Sequence, residues 1–205
     1  MVKVGLTGSI AVGKSFVCSV LRENGCHVLD SDRTARDVVA KGTNGLESIV
    51  SEFGGEILSV DGELDRKKLG NIVFDDLSKL KVLNSIVHPL VFEAQDKWLA
   101  ALEISDPNGI AVIDAALMIE SGGYKRFEKL IVVWCESAIQ LRRLMLRDSL
   151  SEEDAKRRIA SQMPQDEKKR FADHLIDTTL GFDSAHSQTI SLIAELRKSI
   201  SDESE

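Results

Sequence analysis

Cysteine is scarce in this chain, positive charge is outweighed, and no hydrophobic run is long. Each shortage excludes a class of function. The three cysteines, Cys18, Cys26 and Cys135, are odd in number and share no CxxC spacing, which argues against a disulfide framework or a structural zinc site. The four histidines show no metal-ligand spacing either. No apolar stretch approaches the ~18 residues of a membrane span. Met1-Val2-Lys3-Val4 leads straight into a glycine loop, with no room for a signal peptide. With 26 Lys+Arg against 33 Asp+Glu the formal net charge is −7. A net acidic chain is a poor general nucleic-acid binder, because that affinity comes from neutralising many phosphates. A reducing cytoplasm, with neither nucleic-acid nor membrane partners, is the simplest setting. No heptad seam or long exposed apolar face stands out, so a monomer or weak homo-oligomer is expected.

The charge that is present is unevenly spread. Between Arg142 and Arg170 nine Lys/Arg stand against six Asp/Glu, a local +3 that leaves −10 on the rest. One basic segment on an acidic body suits a compact anionic ligand. A solvated helical face has the same composition.

Strand and helix patterns alternate along the chain. Lys3–Thr7 is an apolar strand; Val17, Val20 and Leu21 then fall at helical spacing, and Gly25 stops that helix. His27–Asp30, Gly109–Asp114, Leu130–Trp134 and His174–Asp177 are further strands, two of them continuously apolar as in buried parallel sheets. Helices are predicted over 32–40, 44–53, 137–147, 151–161 and 184–200. The stretch 55–105 breaks the rhythm, with a turn at Asp61-Gly62 and helices over Leu64–Leu69, Asp76–Leu83 and Val91–Leu102. It reads as a helical insertion. The terminal SDESE is expected to fray, and Trp98 and Trp134 read as core residues.

Gly8-x-x-x-x-Gly13-Lys14-Ser15 matches the phosphate-binding loop in full, between an apolar strand and an amphipathic helix. Glycines let backbone N–H groups converge on phosphate oxygens, and the following helix presents its positive end. Lys14 would reach the β- and γ-phosphates and the Ser15 hydroxyl would ligate Mg²⁺; Ala11, Val12 and Phe16 complete the nucleotide-binding stretch. The predicted fold is therefore α/β, a parallel sheet core of P-loop NTPase type flanked by helices, with a helical insertion and a helical lid. The loop names a nucleotide but no reaction. No N/T-K-x-D guanine signature occurs, and Asp106-Pro-Asn-Gly109 precedes its strand, so it is a turn. Arg143 and Arg147 are i,i+4 neighbours, with Arg142, Arg157 and Arg158 close in sequence. Such forks suit the charge neutralisation of phosphoryl transfer, as in a small-molecule kinase lid. Asp32 follows the second strand and either serves an acceptor hydroxyl or caps a helix; Asp30 has the capping alternative too. Asp114 ends the strand GIAVID, where a carboxylate would act on Mg²⁺ directly or through water.

Taken in order, GLTGSIAVGKS (5–15), DSDRTAR (30–36), FGGEIL (53–58), DGELDRKKL (61–69), IVHPLV (86–91), IDAALMIE (113–120), QLRRLMLRD (140–148) and ADHLID (172–177) resemble the dephospho-CoA kinase family. The resemblance runs over about residues 2–181. It implies Mg²⁺-dependent phosphoryl transfer from ATP to the ribose 3′-hydroxyl of dephospho-CoA, giving CoA and ADP. Asp32 matches the family's proposed general base. Arg36, Arg66 and His88 match motif positions of acceptor binding, with 55–105 as acceptor domain. Residues 140–170 match the lid, Arg143 and Arg147 contacting ATP phosphates, and the core is 1–54, 106–139 and 171–205. The chain departs from the usual GGIGSGKS loop at Ser9, Ala11 and Val12. If position 11 requires φ > 0, alanine there costs ~1 kcal/mol relative to glycine. Ala116-Leu117-Met118 replaces Pro-Leu-Leu, and Thr178-Thr179-Leu180-Gly181 replaces Asn-x-Gly, so adenine contacts carry over least directly. Two other classes remain open: a nucleoside or nucleoside-monophosphate kinase, and a non-catalytic nucleotide-binding regulator.

Overall fold

The computed structural model describes residues 1–74 and 76–202. The final SDESE therefore lies partly outside the described residues. The chain divides into two compact units, residues 1–30 with 102–205 and residues 31–101.

The first unit is built on five parallel strands, β1 (Val2–Thr7), β2 (His27–Asp30), β3 (Ile110–Asp114), β4 (Lys129–Trp134) and β5 (His174–Asp177), in the order β2-β3-β1-β4-β5. The three central strands read almost continuously apolar because helices cover both faces. Val4, Leu6, Val112 and Ile131 are fully buried. α1 (Lys14–Glu23) ends as the sequence predicts. The N–H of Gly25, at φ 81°, bonds Arg22 O and that of Cys26 bonds Leu21 O, a Schellman stop. The closing α9 (Phe182–Asp202) lays Leu192, Ile193 and Leu196 on the same core as Val17 and Leu21. Between β4 and β5 run α6 (Ser137–Asp148), α7 (Glu152–Ala160) and α8 (Gln165–Lys169). Ser151 caps α7 by accepting the N–H of Asp154 at 3.1 Å. The turn reading of Asp106–Gly109 holds, Gly109 N donating to Asp106 O at 3.0 Å.

The second unit is helical: α2 (Ser31–Asp37), α3 (Asn44–Phe53), α4 (Arg66–Phe74) and most of α5 (Leu77–Ser105). Val39, Ile49, Ile57, Leu69 and Val73 form its own core. Three expectations need correction. α2 stops at Asp37 rather than 40. α4 begins at Arg66 because Asp65 accepts the N–H groups of Lys67 and Lys68, at 3.1 and 3.0 Å, while Leu64 bridges back to Leu58. The helices predicted over Asp76–Leu83 and Val91–Leu102 are parts of the single 29-residue α5, which runs through Pro89. Proline removes one helical hydrogen bond. Here the apolar row Leu80, Leu83, Val87, Val91 and Leu99, spaced three, four or eight residues apart, keeps one face packed through it.

Candidate active site

β1 delivers the phosphate loop at its carboxyl end, the edge at which parallel α/β sheets bind ligands. Gly8 is glycine because a Cβ there would lie 2.5 Å from the Val133 carbonyl of β4. Gly13, with φ 92°, sits in the left-handed region immediately before α1. Ala11 is also left-handed, at φ 61°, so alanine does occupy a position where glycine is the easier residue.

Beyond the loop, Lys14 reaches Asp114 at the end of β3, and its ammonium pairs with carboxylate Oδ1. The other oxygen, Oδ2, accepts the Cys18 thiol at 3.4 Å. Burial pushes that thiol up to about 12, so it stays protonated and donates. The sequence-predicted Lys14 and Asp114 are thus brought together, and Ser15, next to Lys14 in the chain, is exposed in the first turn of α1. One carboxylate and one hydroxyl, both hard oxygen donors, fit Mg²⁺, which takes few protein ligands and completes its shell with water and phosphate. Among the described residues no group of three His, Cys, Asp or Glu stands ready for a metal.

The loop is also gripped by Thr178, Arg143, Gln140 and Gln162, of which only Arg143 is a sequence-predicted site residue. The buried Thr178 hydroxyl donates to Val12 O at 2.6 Å, and Arg143 donates to that hydroxyl at 2.7 Å and to Thr178 O at 2.8 Å. The amide of Gln140, 1% exposed, donates to Ile10 O at 2.8 Å, and Gln162 Oε1 accepts the Ile10 N–H at 2.8 Å. Arg143 also lies 5.6 Å over the Phe182 ring, which stacks on Phe16 at 4.5 Å. Arg147 is on the same helix but forks onto Asp148, at 2.8 and 3.1 Å, which also takes Arg158. Trp134, read as core, is half-buried, with the Lys169 ammonium 4.2 Å above its ring.

In the helical unit Asp32 occupies the first turn of α2, where a carboxylate complements the helix dipole, and it is exposed. Arg36 closes the same helix, and its carbonyl accepts the Arg66 guanidinium at 3.3 Å. His88 lies exposed on α5, its ring 6.2 Å from that of Phe92. Asp32, Arg36, Arg66 and His88 therefore belong to one unit, and Lys14, Ser15, Asp114, Arg143 and Arg147 to the other.

Comparison with known proteins bears on what this arrangement serves. A dephospho-CoA kinase family model matches residues 2–183. A dephospho-CoA kinase of Listeria monocytogenes is 42% identical over 199 residues, 95% of this chain and 97% of the relative. A solved dephospho-CoA kinase from Campylobacter jejuni superposes with TM-score 0.71 at 32% identity, covering 96% of this chain and 98% of its own. A shikimate kinase from Acinetobacter baumannii, at 15% identity and TM-score 0.50 over 97% and 94% of the two chains, shares the P-loop kinase fold alone. The chain belongs to the dephospho-CoA kinase family.

Proposed function

We propose that this protein transfers the γ-phosphoryl group of ATP to the ribose 3′-hydroxyl of dephospho-CoA, releasing CoA and ADP. The observation that carries the donor half is the Lys14–Asp114 pair beside Ser15 at the foot of a complete phosphate loop. Family membership carries the acceptor half. Phosphate oxygens compete with Asp114 for the Lys14 ammonium, and Ser15 and Asp114 are the residues that would hold Mg²⁺. When bound, that ion offsets charge on the transferring phosphate.

Asp32 is the proposed base. The 3′-oxygen forms a bond to the γ-phosphorus, the bond to the β,γ-bridging oxygen breaks towards ADP, and the hydroxyl proton passes to the Asp32 carboxylate. Arg36, Arg66 and His88, within an acceptor domain of residues 55–105 and the adjoining α2, are proposed to hold dephospho-CoA. Residues 140–170 act as a lid, with Arg143 and Arg147 turning from Thr178 and Asp148 to the phosphates. Lid closure would exclude water and limit wasteful hydrolysis of ATP. The cytoplasm, with small-molecule partners only and a monomer or weak homo-oligomer, completes the proposal. Among the described residues no helix is long and apolar enough to cross a membrane.

The test separates the two halves. Asp32→Asn should reduce acceptor-dependent ADP release at least ~10²-fold while ATP still binds. Lys14→Ala should weaken binding and turnover together. Full activity in the first variant removes Asp32 as base; unchanged kinetics in the second rejects the loop.

A further inference from the structure

The phosphate loop of this chain is hydrogen-bonded by a glutamine of α6. Peptide units are planar and trans, so the C=O of one residue and the N–H of the next point in opposite directions. Fixing the Ile10 carbonyl towards α6 therefore turns the Ala11 N–H away from α6. Fixing the Val12 carbonyl towards Thr178 does the same for the N–H of Gly13. The first bond is the 2.8 Å contact from Gln140 Nε2, the second the 2.6 Å contact from the Thr178 hydroxyl. Gln140 is itself held: its Oε1 accepts Gln165 Nε2 at 2.7 Å, and Gln165 Oε1 accepts the Cys135 N–H at 3.1 Å at the end of β4. Gln162 takes the N–H of the preceding peptide, Ser9–Ile10, at 2.8 Å. The Ile10–Ala11 peptide is thereby anchored to α6, and the peptide before it to the connection between α7 and α8.

We propose that Gln140 is a positioning residue that presents the Ala11 N–H to the nucleotide phosphates. It does so without touching them. An anion-binding loop works through amides aimed at one point, and Ala11 lies in a left-handed conformation that its own side chain disfavours. An external bond is what holds this peptide in place. Because Gln140 and Arg143 lie on one helix, three residues apart, the lid helix and the loop amides share one set of hydrogen bonds.

The inference rests on the donor reading above, so the full-length wild-type chain is titrated with ATP and with adenosine by calorimetry alongside the variants. Gln140→Met keeps the bulk of the side chain and removes both bonds. It should raise the Kd for ATP about tenfold, or ~1.4 kcal/mol, leave adenosine binding unchanged, and raise KM for ATP but not for dephospho-CoA. Gln162→Ala, at a half-buried position, should weaken ATP binding severalfold and serves if the first variant does not fold. No ATP binding by the wild type undoes the donor reading itself. Wild-type ATP affinity in the folded variants, or equal losses for ATP and adenosine, overturns the positioning role alone.

Discussion

Residues of a phosphate-loop pattern are legible one at a time, because the chemistry proposed for them admits few substitutes. Gly8, Gly13, Lys14 and Ser15 stand in the pattern that backbone approach, positive φ, charge and a metal-facing hydroxyl require, and Asp114 ends its strand where a carboxylate was expected. The residues behind the loop were not legible. A glutamine or threonine becomes a loop anchor only through tertiary contact, so the sequence motifs contain Gln140 and Thr178 without giving them that role, and nothing marks Gln162. The one local oddity that did carry information is Ala11, whose φ of 61° matches the conformation its position demands. Glycine there removes ~1–2 kcal/mol of left-handed strain and gives back ~0.4–1 kcal/mol through a more flexible unfolded chain. Ala11→Gly should therefore stabilise the protein by up to about 1.6 kcal/mol in urea unfolding. A loss of stability would show that the φ at this position is not a strain.

At the scale of elements, periodicity carried most of the fold. β2 and β5 fall on their predicted residues, and α3, spanning Asn44–Phe53, matches its predicted range. The misread elements share a cause. α5 continues through Pro89 because a packed, partly buried apolar row outweighs one missing hydrogen bond, and such a row is assembled by packing rather than by local propensity. The basic run at 168–170 is misleading for the same reason, since Lys168 is completely buried. Its ammonium donates to Ala116 O and pairs with Glu120, both at 2.9 Å, while Glu120 also accepts the Met163 N–H at 3.2 Å. Thr7 donates to the same Ala116 carbonyl at 3.1 Å. α8 is thereby tied to the segment that follows Asp114. Lys168→Met removes the charge partner of Glu120 and one of the two donors to Ala116 O, and because Glu120 keeps the Met163 N–H and 24% side-chain exposure the cost should fall below that of a fully buried pair, at ~1–3 kcal/mol. Urea unfolding measures it. Adding Glu120→Gln should recover part of the loss; an additive double variant would mean that the pair is not coupled.

For the whole molecule, the donor-site candidates fall in the sheet unit and the acceptor candidates in the helical unit. The unit boundaries fall at the β2–α2 junction and within α5, where no shift in composition announces them. Which hydroxyl receives the phosphate therefore cannot be read from the loop. It follows from the order of motifs over residues 2–183 and from family membership. The most direct test is coupled ADP release from the purified full chain with ATP and Mg²⁺, comparing dephospho-CoA with nucleosides and nucleoside monophosphates as acceptors. Rapid turnover with dephospho-CoA, yielding a 3′-phosphorylated product, and turnover at least ~10²-fold slower with the other acceptors, is the predicted result. Preference for a nucleoside or its monophosphate, or ATP binding with no acceptor-dependent turnover at all, would contradict it.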